Sequence, residues 1–67
     1  MNVDNIGMWA GMIWNILNTE GTLGVKKIKK ATKLKDKEIF AALGWLSREG
    51  KINLAEDDSD VIVSLVG

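Results

Sequence analysis

The chain has 67 residues, of which 46% are apolar and 27% are charged, so it is a folded globular chain with room for one core. It contains no cysteine and no histidine, which excludes disulfides, thiolate nucleophiles, most zinc sites and imidazole general bases. Nine basic and nine acidic residues give a formal charge of zero, so only a local patch could bind a polyanionic partner.

The first predicted element is an amphipathic helix over about residues 4–18, in which Asp4 or Asn5 caps the first turn. Its apolar residues recur at helical spacing, at Ile6, Trp9, Ala10, Ile13, Ile16 and Leu17. The apolar run of twelve residues is too short to span a bilayer, which requires roughly 20. No basic residue precedes the run, as one would in a signal peptide. We therefore expect a cytoplasmic protein with no membrane contact.

A short strand over about residues 22–25 and a second helix over about 26–32 are predicted next. Ile28 and Ala31 form a narrow apolar stripe on this helix, and lysines project from its other sides. Lysine therefore dominates the exposed surface of this part of the chain.

The third predicted helix covers about residues 36–49 and is capped by Asp36. Its inward residues are Ile39, Ala42, Leu43 and Leu46, and Gly50 ends it because glycine readily adopts a positive φ. A hairpin over 51–66 follows: alternating and β-branched apolar residues predict two strands, and the polar run 56–60 predicts the turn between them. The chain contains no proline-rich or repeated segment, so residues 1–67 are expected to form a single domain.

The predicted fold class is α+β: three helices, a short strand and a C-terminal β-hairpin wing, in the order of a winged helix-turn-helix domain. The residues Ala42-Leu43-Gly44-Trp45-Leu46 and Arg48-Glu49-Gly50-Lys51-Ile52 occupy the positions of a recognition helix and the entry to a wing. In these segments the chain resembles a family of small stand-alone winged helix-turn-helix proteins of prokaryotes. The resemblance implies a fold more than a biochemical role, because winged helices bind DNA, RNA and proteins alike.

The outward face of the third helix departs from the pattern of a base-reading helix. Its residues are Lys37, Glu38, Phe40, Ala41, Gly44, Trp45 and Arg48. No Asn, Gln or Arg stands in the first two turns to make a bidentate contact with a base. The tip of the wing carries Glu56, Asp57, Asp58 and Asp60, which would repel phosphates. This cluster lacks the pattern of a calcium loop, so we interpret it as a solvated turn and predict no metal and no cofactor.

Seven lysines lie within twelve residues that contain one acid, Asp36. Lysines neutralise phosphates without reading the base sequence. The candidate nucleic-acid contacts are therefore these seven: Lys26, Lys27, Lys29, Lys30, Lys33, Lys35 and Lys37. The alternative is that these lysines merely form the solvated side of a helix.

A second candidate surface is apolar. The first helix is apolar almost all round, and Phe40 and Trp45 are expected to form an exposed aromatic pair on the third helix. The residues assigned to a partner or dimer surface are Met8, Gly11, Met12, Trp14, Phe40, Ala41, Gly44 and Trp45. A two-fold homodimer is the commonest way to cover such a surface. The alternative is that the aromatic rings fold back into the core.

No catalytic residues are predicted, since no serine has a histidine partner and no glycine-rich phosphate loop is present. Two functions remain. The first is a dimeric module that associates with nucleic acid, most simply DNA, through phosphate contacts of low base specificity. The alternative is a protein-interaction or homodimerisation module that has the same fold and does not bind DNA. The lysine patch and the fold favour the first slightly.

Overall fold

A computed structural model describes all 67 residues and contains three helices and three strands. In chain order these are α1 (Val3–Glu20), β1 (Leu23–Gly24), α2 (Val25–Thr32), α3 (Asp36–Arg48), β2 (Ile52–Glu56) and β3 (Val61–Leu65). The α+β winged helix-turn-helix architecture predicted from the sequence is confirmed. None of the helices combines the length and the apolar character that crossing a membrane requires.

The three strands form one antiparallel sheet in the order β1-β3-β2, so β3 is the central strand. Val63 of β3 is fully buried and is paired with Leu23 on one side and with Leu54 on the other. The strands β2 and β3 pair over five residues each without a bulge. Strand β2 is therefore an edge strand, with one side facing away from the rest of the sheet.

The core consists of thirteen buried residues, all of them apolar, and no polar or charged residue is buried. They come from every helix, from the turn between α2 and α3 and from two strands: Trp9, Ala10, Ile13, Leu17, Val25, Ile28, Leu34, Ile39, Ala42, Leu43, Leu46, Ile52 and Val63. The stripe assigned to the third helix, Ile39 to Leu46, is buried as expected. Trp9 is also buried, which agrees with its interpretation as a core residue.

Helix α1 begins at Val3, one residue earlier than expected, and its cap is neither Asp4 nor Asn5. The side chain of Asn2 caps it, accepting the N–H of Asn5 at 2.9 Å. With this start, the side chain of Asn2 lies within reach of the free amide groups in the first turn of the helix. At the other end the helix continues to Glu20, and Gly21 closes it with a φ of 84°.

Helix α3 also differs in its cap, because Asp36 is its first residue rather than the residue before it. The N-cap is Lys35, whose N–H donates to the carboxylate of Glu38 at 2.8 Å. The helix ends at Arg48, and Gly50 follows it with a φ of 70°. Reverse hydrogen bonds from the amides of Gly50 and Lys51 then direct the chain into β2.

Replacing Leu43 by Ala is expected to lower the free energy of unfolding by about 2–5 kcal/mol, because it leaves a cavity in the centre of a small core. Thermal or urea unfolding measures the change. Gly44→Ala is the matched control on the same helix: the added methyl group meets no neighbour, so stability should rise by about 0.5–1 kcal/mol. An unchanged midpoint for Leu43→Ala would mean that this helix packs with a different face.

Candidate nucleic-acid interface

The turn between α2 and α3 is short and is fixed by hydrogen bonds. The Thr32 hydroxyl donates to the carbonyl of Ile28 at 2.7 Å and accepts the N–H of Leu34 at 3.3 Å. Leu34 itself is buried and anchors the turn in the core. Lys33 adopts the left-handed conformation with a φ of 61°, and its N–H closes α2 by donating to the carbonyl of Lys29 at 2.8 Å. The two helices are therefore held at a defined angle.

One of the seven candidate lysines is paired with an acid. Lys29 Nζ lies 3.0 Å from Asp36 Oδ1, and both side chains are more than half exposed. An exposed pair of this kind adds little stability, typically about 0–1 kcal/mol. The pair matters more for the surface charge. Asp36 is the only acid within residues 26–37, and Lys29 neutralises it. The other six make no ion pair within the chain.

These six lysines point in different directions. Lys27 and Lys30 line a depression that also contains Glu20 of α1. Lys26 lies at the start of α2, next to the wing. Lys33, Lys35 and Lys37 follow one another along the turn and the first turn of α3, and all three are exposed. The structure thus separates a turn cluster, defined as Lys33, Lys35 and Lys37, from the lysines of α2.

The face of α3 opposite the core carries Lys37, Ala41, Gly44 and Arg48, at spacings of four, three and four residues. Lys37, Gly44 and Arg48 are exposed and Ala41 is half-buried. The middle of this face therefore has no side chain that could donate to or accept from a base. A cation stands at each end.

The wing reaches back to α2 through Asp60, a contact that sequence reasoning missed. The carboxylate of Asp60 accepts the N–H of Lys26 at 3.3 Å and the N–H of Val61 at 2.8 Å. It therefore supplies the cap that Gly24, the N-cap residue of α2, cannot provide. A Cβ at residue 24 would collide with this carboxylate, which explains the glycine. The contact joins residues 34 positions apart, so no local pattern could indicate it.

The acidic tip of the wing is more ordered than a solvated turn requires. Asp57 Oδ1 accepts the amide hydrogens of Ser59 at 3.0 Å and Asp60 at 2.9 Å, which fixes the hairpin loop. Glu56 and Asp58 make no hydrogen bond or ion pair through their side chains. No three of these carboxylates form a group that could hold a metal ion. The tip is a negatively charged loop with structural roles for two of its four acids.

The residues assigned to a partner surface lie in four separate places, of which the wing tip holds Phe40. Gly11, Trp14 and Trp45 line a groove between α1 and α3. Met12 lines a depression against the end of α2, and the neighbouring Met8 is exposed on the same helix. Ala41 and Gly44 belong to the outward face of α3 described above.

Phe40 is 48% exposed and lies beside the wing tip, next to Asp60 and Val61. Trp45 is half-buried against the core on the other side of α3. The expected exposed aromatic pair is therefore wrong as a single patch. The reason is geometric: five residues along a helix correspond to a rotation of about 140°.

Comparison with known families places these observations in context. The model of a family described as a winged helix-turn-helix domain (DUF2582) matches residues 1–65. The chain belongs to this family. A search of the curated proteins found none that matches the chain. The winged helix-turn-helix fold of the family often binds nucleic acid, and its members are typically binding modules rather than enzymes.

Replacing Asp60 by Ala removes the cap of α2 and is expected to lower the free energy of unfolding by about 0.5–2 kcal/mol. Asp60→Asn keeps one acceptor oxygen for the N–H of Lys26 and loses the one that accepts from Val61, so its stability should lie between those of the native chain and of Asp60→Ala. Asp58→Ala, which removes an acid without hydrogen bonds from the same loop, is the matched control. Equal stability of the Asp60→Ala and Asp58→Ala variants would contradict the cap.

Proposed function

We propose that this winged helix-turn-helix domain binds duplex DNA through phosphate contacts made by the turn cluster and the outward face of α3. The observation that carries the proposal is the presence of three exposed, unpaired lysines within five residues at the start of α3. The single acid among them, Asp36, is already neutralised by Lys29 at 3.0 Å. Phosphates approaching the turn therefore meet a net positive surface, although the whole chain is neutral.

The outward face of α3 supports contacts with phosphates more than contacts with bases. Lys37 and Arg48 are eleven residues apart, which corresponds to about 16 Å along a helix axis. The major groove is about 12 Å wide, so a helix lying across it could hold the phosphates of both edges with these two cations. The small residues Ala41 and Gly44 between them allow a close approach but read no base. We therefore propose low base specificity.

The start of α2 and the wing tip, which contact DNA in many winged helices, are both negatively charged in this domain. The carboxylate of Asp60 accepts the N–H of Lys26 and places a negative charge at the start of α2, where a helix could otherwise bind a phosphate. Glu56 and Asp58 at the wing tip would be repelled by the DNA backbone. DNA would thus be bound by the turn and α3, with the wing held away from it. The proposed location of this contact is the cytoplasm.

The salt dependence of binding tests the turn cluster. The double variant Lys35→Ala/Lys37→Ala should bind duplex DNA more weakly and lower the slope of log K against log salt by about 1.8, or 0.9 for each lost phosphate contact. Both residues are exposed at the start of a helix, so the fold should be retained. Fluorescence anisotropy with a labelled duplex, titrated at several salt concentrations, measures the slope.

Lys27→Ala is the matched control for this experiment, because Lys27 lies on the other side of α2, beside Glu20. Its slope should equal that of the native chain. If Lys27→Ala lowers the affinity and the salt slope as much as the double variant does for each lysine removed, the effect of charge is unspecific. That result would contradict the proposed DNA-binding face. Absence of DNA binding by the native chain at low salt would exclude the function itself.

Protein association is the second candidate function, and exposed apolar side chains favour it. Phe40 and Leu54 are each 48% exposed; Phe40 lies beside the wing tip and Leu54 lies in strand β2 of the wing. Large apolar side chains at the surface of a small domain are typical of a surface that is covered by a partner. The two functions are compatible, because the turn cluster contributes none of this apolar surface.

A further inference from the structure

The outer edge of β2 carries a row of backbone groups without partners. Val66 N–H donates to the carbonyl of Lys51 and Asp57 N–H donates to the carbonyl of Asp60, both at 3.0 Å. Residues 51 and 57 thus direct their polar groups toward β3. Because these groups alternate along an antiparallel strand, Ile52, Leu54 and Glu56 direct theirs outward. No hydrogen bond within the chain uses those outward groups.

This edge also lacks several of the features that usually protect an edge strand. Between Ile52 and Glu56 there is no proline, no lysine and no bulge. Four of the five residues are exposed, so side chains project freely from both faces of the strand: Asn53, Leu54, Ala55 and Glu56. The most apolar of them, Leu54, stands at the centre of the strand. Such an edge is a template for another strand.

We infer that the edge pairs with β2 of a second copy of the chain, antiparallel and centred on Leu54. In this register Leu54 lies opposite Leu54 of the second copy, and Ile52 lies opposite Glu56. Each copy donates three outward N–H groups to three outward carbonyls, which gives six hydrogen bonds. A shift by two residues in either direction leaves four. A two-fold axis through Leu54 therefore satisfies the largest number of free groups.

Charge complementarity favours the second copy over another partner. The same register places Lys51 opposite Asp57 of the other copy, on the solvent face of the sheet. Lys51 is held only by Glu49 at 3.6 Å in an exposed pair, so its ammonium group can turn toward a new carboxylate. Asp57 uses Oδ1 to fix its loop and keeps Oδ2 free. The neutral chain also creates no long-range repulsion between copies.

The dimer would form one continuous six-stranded sheet and leave the turn cluster of each copy exposed. It goes beyond DNA binding and does not depend on it, since no turn lysine takes part. It also differs from the partner surface predicted from the sequence, which lies on α1 and α3. The two possible interfaces can therefore be distinguished by substitutions at separate positions.

Sedimentation equilibrium of the native chain, without DNA, should give a mass that rises toward twice 7.4 kDa with increasing protein concentration. Leu54→Lys and Leu54→Glu should each remain monomeric, because two like charges would face each other at the axis. An equimolar mixture of the two variants should recover the dimer. Only a residue that pairs with its own copy gives this pattern. Circular dichroism checks that each variant is folded.

Met8→Lys is the matched control, because it also places a lysine at an exposed apolar position, on α1, and Met8 is 58% exposed. This variant should dimerise as the native chain does. The inference is overturned if the native chain is monomeric at all concentrations, if the Leu54 variants still dimerise alone, or if Met8→Lys dissociates the dimer. None of these outcomes bears on DNA binding, which is measured by anisotropy.

Discussion

The burial of one stripe of α3 determines most of what this molecule can present to a partner. A chain of 67 residues has a single core, and the fully buried Ile39, Ala42 and Leu43 fix the rotation of α3 within it. The opposite face, from Lys37 to Arg48, is then exposed by necessity. Packing thus defines the candidate interface before any charge is considered.

Regular periodicity made the fold predictable from the sequence. The helical spacing of apolar residues and the β-branched run after the acidic turn were sufficient to place three helices and a hairpin. The helix caps were harder to predict, because several side chains near a helix start can accept a hydrogen bond from the same amide group. Asn2 acts at α1 where Asp4 or Asn5 was expected, and Glu38 acts at α3 where Asp36 was expected. Such choices depend on where the helix begins, which periodicity fixes only approximately.

The candidate site was predictable in composition but not in arrangement. The seven lysines were evident from the sequence, whereas the pairing of Lys29 with Asp36 depends on how α2 and α3 meet across the turn. The capping of α2 by Asp60 depends on the path of the whole wing. The separation of Phe40 from Trp45 was, in contrast, available from helix geometry alone. A count of exposed aromatic residues is therefore less informative than their angles around the helix axis.

The conformation of Lys33 determines how α2 and α3 are joined. It is the only residue other than glycine with a positive φ, a state that costs a side-chain-bearing residue about 1–2 kcal/mol. The residues on either side keep this unfavourable conformation in place, because Leu34 is buried in the core and the Thr32 hydroxyl is hydrogen-bonded to the backbone. The chain therefore keeps an unfavourable backbone conformation at one residue, and in return α2 and α3 meet at a single fixed angle.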